Sequence, residues 1–214
     1  MPCSAWSKKN EPVIVSLSHT RTWYVFTDGA FEPGSETPAT IGGMLLNQDG
    51  RCVEHFGVAL PVSLFDQFLS DSKHPIYELE LLPVLVAIRV WSQFLLRAHV
   101  VFYLDNNAAH SALVRADGAT TVASGLVSEF VRMEKLLKIL PWFARVPSHS
   151  NPSDSASRLE FNVPWLKGSR FVAPTLLSRK SVRGKNERAC VREAVFRVVH
   201  VCKFFYHDVD SICE

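Results

Sequence analysis

Three acidic residues stand next to apolar segments, where a carboxylate is costly unless something positive meets it. Asp28 ends the aromatic and β-branched run that starts at Trp23, and Asp105 ends the apolar run that starts at His99. Asp154 follows a polar loop after a further apolar segment. An isolated carboxylate at the end of an apolar segment is unfavourable, whereas a bound cation compensates its charge. Because hard divalent cations prefer oxygen ligands, these residues predict a metal site.

A fourth carboxylate is expected from a helical pattern that runs from about Leu79 to Leu96. Glu78 and Glu80 are two residues apart, so on a helix their side chains point about 200° apart. The helix face below Glu80 continues through apolar and small residues, whereas the face below Glu78 turns polar. We therefore expect Glu80, and not Glu78, to point towards the sheet. Pro83 predicts that this helix either starts near Leu79 or Glu80, because proline is tolerated in a first turn, or is kinked at the proline.

Each acid taken alone has an ordinary structural explanation. An Asp-Gly pair at Asp28 is typical of a turn, and Asp105 or Asp154 could cap the helix that follows. The functional interpretation depends on their joint placement, since each lies at a boundary between predicted elements. Two strand ends at one sheet edge would bring like charges together, which is unfavourable without a cation.

The elements that must position these acids follow from hydrophobic periodicity. Aromatic and β-branched runs predict three antiparallel strands, followed by two more strands that are separated by helices. The first predicted strand starts at Trp23 and ends near Asp28. The other four cover Ile41–Leu46, Cys52–Leu60, His99–Asp105 and Trp142–Pro147. This order predicts a mixed α/β domain with a five-stranded sheet flanked by helices.

Composition limits the class of protein. The chain has 214 residues, of which 47% are hydrophobic and 21% are charged, enough for a sizeable core. No apolar run approaches the roughly 18–20 residues that span a bilayer, so we expect no membrane association. Five scattered cysteines favour a reducing, intracellular compartment over a disulfide framework, and they do not distinguish nucleus from cytoplasm.

Charge divides the chain into a body and a basic end. Residues 161–214 hold 10 basic and 5 acidic residues, whereas residues 1–160 hold 13 basic and 16 acidic residues. We predict an N-terminal lead-in over residues 1–21, a domain over 22–160 and a basic C-terminal extension over 161–214, partly helical. The extension is the part of the chain suited to contact a polyanion.

Four strings in this order resemble the motifs of type 1 ribonuclease H, in the form carried by retroelement reverse transcriptases. They are T-D-G-A at Thr27–Ala30, E-L-L-P-V-L-V-A at Glu80–Ala87, Y-L-D-N-N-A-A at Tyr103–Ala109 and R-V-P-S-H-S-N-P-S-D-S-A-S-R at Arg145–Arg158. The resemblance covers about two-thirds of the chain and implies a ribonuclease H-like fold.

The resemblance implies that Asp28, Glu80, Asp105 and Asp154 are catalytic residues that hold two Mg²⁺ ions, with Mn²⁺ as a substitute and no organic cofactor. The implied reaction is two-metal hydrolysis of the RNA strand of an RNA–DNA hybrid. The implied origin is a retroelement. Two alternatives stay open: another nuclease of this fold that acts on DNA, and a non-catalytic nucleic-acid-binding module.

Six further residues are candidate substrate contacts. They are Gly29, Ala30, Asn106, Asn107, His149 and Asn151. Asn107 could also belong to a helix cap, and His149 could equally be a solvated loop residue. Asn151 is suited to ordering its loop, and Arg158 is suited to pairing with a nearby carboxylate. A basic protrusion is not visible, because residues 116–121 contain no Lys or Arg.

Overall fold

The computed structural model describes residues 21–71, 75–174 and 176. The strands are β1 (Thr22–Phe31), β2 (Ala39–Leu46), β3 (Cys52–Ala59), β4 (His99–Leu104), β5 (Leu140–Arg145) and β6 (Arg170–Phe171). The helices are α1 (Val62–Asp71), α2 (Ile76–Val90), α3 (Ser92–Leu95), α4 (Asn107–Arg115), α5 (Thr121–Leu137) and α6 (Asp154–Ser157). Short 3₁₀ turns cover Ser148–Ser150 and Pro164–Leu166.

The six strands form one mixed sheet in the order β5-β4-β1-β2-β3-β6. Strands β1, β2 and β3 pair antiparallel, and β4 and β5 add in parallel beside β1. This arrangement confirms the predicted mixed α/β class, with three antiparallel strands followed by two parallel ones. Because β4 pairs in parallel with β1, the carboxyl ends of these two strands lie at the same edge of the sheet.

The predicted count of five strands is wrong, because β6 pairs in parallel with the outer edge of β3. Its two residues are too few to show any period in the sequence, and they lie in the segment assigned to the basic extension. An ion pair with buried Glu54 helps to hold β6 there, since the Arg170 Nε donates to its Oε1 at 2.9 Å. The predicted domain limits themselves stay a prediction, because most of the basic extension lies outside the described residues.

Helix α2 begins earlier than the sequence predicts, at Ile76, so Pro83 lies inside the helix and not in its first turn. Proline has no N–H to donate to the carbonyl of Leu79, four residues earlier. Packing outweighs this loss, since eleven successive residues from Glu78 to Ile88 are buried. The helix also ends sooner than predicted, and Ser92–Leu95 forms the separate helix α3.

Two glycines let helices approach the sheet closely, one on each of its faces. A Cβ on Gly29 would lie 2.4 Å from the carbonyl oxygen of Leu79 in α2. A Cβ on Gly42 would lie 2.2 Å from the backbone nitrogen of Ser157 in α6. Asp28 is paired with Gly42, so it points to the α6 face, and its neighbour Gly29 points to the α2 face. Both helices therefore reach the part of β1 that carries Asp28.

The main core fills the space between the sheet and helices α2 and α5. A smaller apolar cluster, made by Met44, Cys52 and Leu166, lies under the turn Pro164–Leu166. Within the described ranges, no helix is long and apolar enough to cross a membrane.

We expect Gly29→Ala to lower the melting temperature by about 5 °C or more. The added methyl group meets backbone and not a flexible side chain, and overpacking of this kind costs about 1–3 kcal/mol. Thermal unfolding followed by circular dichroism measures the effect. Gly50→Ala is the comparison, because no atom lies near its Cβ and alanine there meets only the backbone strain of a φ of 74°, so its melting temperature should fall less. A Gly29→Ala protein as stable as the wild type would contradict the close approach.

Candidate metal centre

Asp28, Glu80 and Asp105 form an acidic triad in which one carboxylate oxygen from each lies within 4.8 Å of the others. The parallel pairing of β1 and β4 runs to Phe26 and Tyr103. Asp28 and Asp105 each lie two residues beyond that last pair, so the two side chains leave the sheet at the same level. Glu80 comes from the second turn of α2, which Gly29 allows to approach.

Burial and mutual repulsion disfavour negative charge in the acidic triad. Burial raises the pKa of Glu80 to about 10, and the charges of Asp28 and Asp105 add to this rise. Burial also raises the pKa of Asp28 to about 6, with smaller contributions from Asp105 and Asp154. A hydrogen bond from the Ser157 hydroxyl opposes that rise. Protons or cations must therefore compensate the acidic triad at neutral pH.

The donor set of the acidic triad fits a hard divalent cation. Glu80 Oε2 and Asp105 Oδ1 are buried and accept no hydrogen bond in the described part of the chain. The other hydrogen bonds come from neutral donors: the Gly29 backbone N–H donates to Glu80, and the Ser157 hydroxyl donates to Asp28 Oδ2. Three converging carboxylates with open lone pairs are the ligands that Mg²⁺ and Mn²⁺ prefer.

Buried Glu129 shows what a compensated carboxylate looks like in the same protein. Arg132 donates to both of its oxygens, at 2.6 and 2.8 Å, and Arg89 also donates to Oε1. Within the described ranges, the acidic triad has no ion pair of this kind. The comparison indicates that the acidic triad is built for a partner that the polypeptide does not supply.

Asp154, the fourth predicted ligand, lies outside the acidic triad. Its carboxylate is about half exposed and accepts two hydrogen bonds from Arg158 Nε, at 3.0 and 3.1 Å. The Nη1 of Arg158 also contacts Glu32 Oε1 at 3.2 Å. Asp154 is nevertheless near the acidic triad, because its charge contributes to the raised pKa of Asp28.

Glu78 and Glu80 lie in different surroundings, although both are buried. Glu78 is fully buried and accepts a hydrogen bond of 2.7 Å from the Thr120 hydroxyl at the start of α5. Glu80 joins the acidic triad. The contact of Glu78 ties α2 to α5 and takes no part in the metal centre.

The candidate substrate contacts near the acidic triad differ in their access to a ligand. Gly29 is buried and its N–H supports Glu80, whereas Ala30 is half-buried beside the triad. Asn106 caps α4, because its Oδ1 accepts from the backbone nitrogens of Ala108 and Ala109 at 2.9 and 3.0 Å. Asn107 is the exposed first residue of that helix and faces solvent.

The loop before Asp154 holds the other two candidates. His149 is exposed in the 3₁₀ turn Ser148–Ser150. Asn151 is buried, and its Nδ2 donates to the Thr27 carbonyl at 3.1 Å while its Oδ1 accepts from the Ser153 hydroxyl at 2.7 Å. Asn151 therefore ties the loop to β1, next to Asp28.

Ser157 is a site residue that sequence reasoning misses. A single serine after a predicted acid carries no distinctive signal, and its contact with Asp28 spans 129 positions of the chain. The one available clue is the i, i+3 spacing from Asp154, which places both residues on the same side of a helical turn.

A cleft of about 210 Å³ adjoins the metal centre. It is lined by Ala30, Glu32, Thr37, Thr40, Arg158, Leu159 and Glu160. Because Arg158 also contacts Asp154, the cleft lies beside Asp154, on the exposed side of the acidic triad.

The chain is similar to ribonuclease H domains of known structure. Ribonuclease H1 of the archaeon Halobacterium salinarum NRC-1 shows 20% identity and a TM-score of 0.44, over 65% of this chain and 96% of that one. LC11-RNase H1, isolated from compost and solved with an RNA/DNA hybrid, shows 13% identity and a TM-score of 0.49, over 64% and 94%.

A viral enzyme is also similar to part of this fold. The foamy viral protease-reverse transcriptase, solved with an RNA/DNA hybrid, shows 11% identity and a TM-score of 0.43, over 74% of this chain and 22% of that one. No protein-family model matches the sequence, and no curated protein matches it significantly. Identities this low do not establish an activity, so the chemistry must follow from the residues of the site.

We expect Glu80→Gln to stabilise the metal-free protein at neutral pH. The folded pKa of Glu80 lies above its usual 4.5, so its contribution to stability is complete below about pH 4.5 and is lost as the pH rises towards 10. The advantage of the variant should therefore grow between pH 5 and pH 8, by up to about 1.4 kcal/mol per pH unit. Urea unfolding in EDTA measures it.

Glu129→Gln is the matched control, since it removes another buried carboxylate from a helix. It should destabilise the protein, because Arg89 and Arg132 lose the anion that both contact. If both variants changed the free energy of unfolding in the same direction, the distinction between the two carboxylates would be wrong.

Proposed function

We propose that this protein is a metal-dependent endonuclease that hydrolyses the RNA strand of RNA–DNA hybrids. The observation that carries the proposal is the convergence of Asp28, Glu80 and Asp105 at the ends of two parallel strands. Their uncompensated burial favours divalent cations. The three motifs that supply them, together with the fourth that supplies Asp154, resemble those of ribonuclease H. The resemblance to retroelement domains further supports a retroelement origin.

The cations proposed for the site are two Mg²⁺ ions, with Mn²⁺ as a substitute. Asp28, Glu80 and Asp105 would hold them, and Asp154 would complete the set from the neighbouring helix α6. Bound there, the ions supply Lewis-acid activation of water and stabilisation of the leaving oxygen.

The protein's own groups prepare this site. The Gly29 N–H and the Ser157 hydroxyl orient the carboxylates of Glu80 and Asp28. Asn151 fixes the loop that leads to Asp154 against β1. On the exposed side, Asn107 and His149 are the polar residues proposed to meet the substrate, where a hybrid presents ribose hydroxyl groups and phosphates.

Cleavage assays on matched duplexes test the proposed function. With Mg²⁺, we expect the full chain to cut the RNA strand of an RNA–DNA hybrid and to leave RNA–RNA and DNA–DNA duplexes intact. EDTA should abolish cutting, and Mn²⁺ should restore it. Cutting of DNA would identify a different nuclease of this fold, and binding without cutting would identify a non-catalytic module; either result would overturn the proposal.

Asp105→Asn should lower the rate of hybrid cleavage by about 100-fold or more, because it removes an anionic ligand while keeping the shape of the side chain. Asp117→Asn is the matched control, since Asp117 is exposed in the loop after α4. The control should cleave at the wild-type rate. Undiminished cleavage by the Asp105 variant would rule out the acidic triad as the catalytic centre.

A further inference from the structure

Arg158 contacts two carboxylates at once, through different nitrogens. Its Nε contacts both oxygens of Asp154, at 3.0 and 3.1 Å, and its Nη1 contacts Glu32 at 3.2 Å. Among the described residues these are its ion pairs. The guanidinium can therefore give up one partner without losing both, because its donors form a fork that serves two acceptors.

The contact with Arg158 disfavours the binding of a cation by Asp154 beside the acidic triad. Its two oxygens are both occupied by Arg158 Nε, so the lone pairs that face Arg158 are engaged. A cation bound by this carboxylate would lie near the positive guanidinium, and the repulsion between the two charges favours release of at least part of this contact. The side chains of Asp154, Arg158 and Glu32 are 48%, 48% and 63% exposed, so they have room to rearrange.

Glu32 is placed to receive Arg158 when it is released. It lies just beyond the end of β1, four residues after Asp28, and lines the cleft beside the metal centre together with Arg158. Its side chain is the most exposed of the three, and its described ion pair is the one with Arg158. Arg158 therefore lies between Asp154 and Glu32 and contacts both carboxylates.

We infer that Arg158 is a positioning residue that keeps Asp154 turned away from the acidic triad, and that Glu32 draws Arg158 aside when Asp154 binds a second divalent cation. This inference rests on the proposed function, because it concerns how that site acquires its second ion. Glu32 and Arg158 thus set the affinity of the site for the more weakly bound of the two ions, without contacting either ion.

Calorimetric titration of the full-length, metal-free protein with Mn²⁺ tests the inference. We expect the wild type to bind two ions, and Asp154→Asn to lose the weaker one. Arg158→Gln should tighten the weaker site up to about fivefold, since a partly exposed ion pair no longer competes for Asp154. Glu32→Gln should weaken it by a similar factor, because Arg158 then has Asp154 as its remaining carboxylate partner.

A double-mutant cycle separates this exchange from simple electrostatics, which predicts the same two signs. If Glu32 acts through Arg158, Glu32→Gln should change the Mn²⁺ affinity less than twofold once Arg158 is Gln. If Glu32 merely attracts cations, Glu32→Gln should weaken Mn²⁺ binding equally whether residue 158 is Arg or Gln, and the inference is then wrong. Glu36→Gln removes an exposed charge from the same loop and should leave the weaker site unchanged. An equal loss in that variant would also overturn the inference.

Hybrid cleavage by the same proteins distinguishes failure of the inference from failure of the proposed function. If the wild type cuts hybrid but the double-mutant cycle is additive, the role of Glu32 is wrong and the proposed nuclease activity stands. If the second Mn²⁺ site follows the expected cycle but the protein cuts no hybrid, the exchange of Arg158 stands and the proposed nuclease activity is wrong. Failure of every variant to bind a second ion overturns the inference, and it overturns the proposed function as well only if the wild type also cuts no hybrid. Circular dichroism confirms that each variant is folded.

Discussion

Repulsion between carboxylates that the fold brings together in a largely buried site is the constraint on which this structure depends. Asp28, Glu80 and Asp105 present oxygens within 4.8 Å of one another, with 5% exposure at Asp28 and at Glu80. Burial and repulsion together push the pKa values of Asp28 and Glu80 upwards. The same fold shows at Glu129 how arginines compensate a buried carboxylate, and in its described part it applies no such solution to the acidic triad. A divalent cation is the partner that converts this repulsion into binding.

The scaffold enforces the convergence through backbone contacts that leave little freedom. Parallel pairing of β1 with β4 sets Asp28 and Asp105 at equal distances beyond the paired residues. Gly29 lets α2 approach β1, and Gly42 lets α6 approach the opposite face, so both helices reach the same point on the sheet. Helix α2 keeps its place although Pro83 interrupts its hydrogen bonding, because burial of the surrounding side chains outweighs one lost bond.

Helix α6 supplies the adaptable part of the centre. Ser157 is fixed on Asp28, while Asp154, three residues earlier, is held by Arg158 at the exposed side. Burial separates the two roles, since the buried Ser157 hydroxyl stays in place, whereas the half-exposed Asp154 carboxylate can change partners. The acidic triad is thus preorganised by the core, and the fourth carboxylate is governed by surface ion pairs of modest energy.

Local pattern was sufficient to predict much of this protein. Apolar runs predicted five strands and the mixed α/β class, and helical periodicity separated the faces of Glu78 and Glu80, because both signals depend on residues close in the chain. Tertiary structure alone decided the rest. The two-residue strand β6 exists because β3 offers it an edge, and α2 begins at Ile76, with Pro83 in its interior, because its surroundings are apolar. The contacts of Ser157 with Asp28 and of Arg158 with Glu32 span 129 and 126 positions. No periodicity in the sequence encodes such distant pairs, since only the folded sheet brings their elements together.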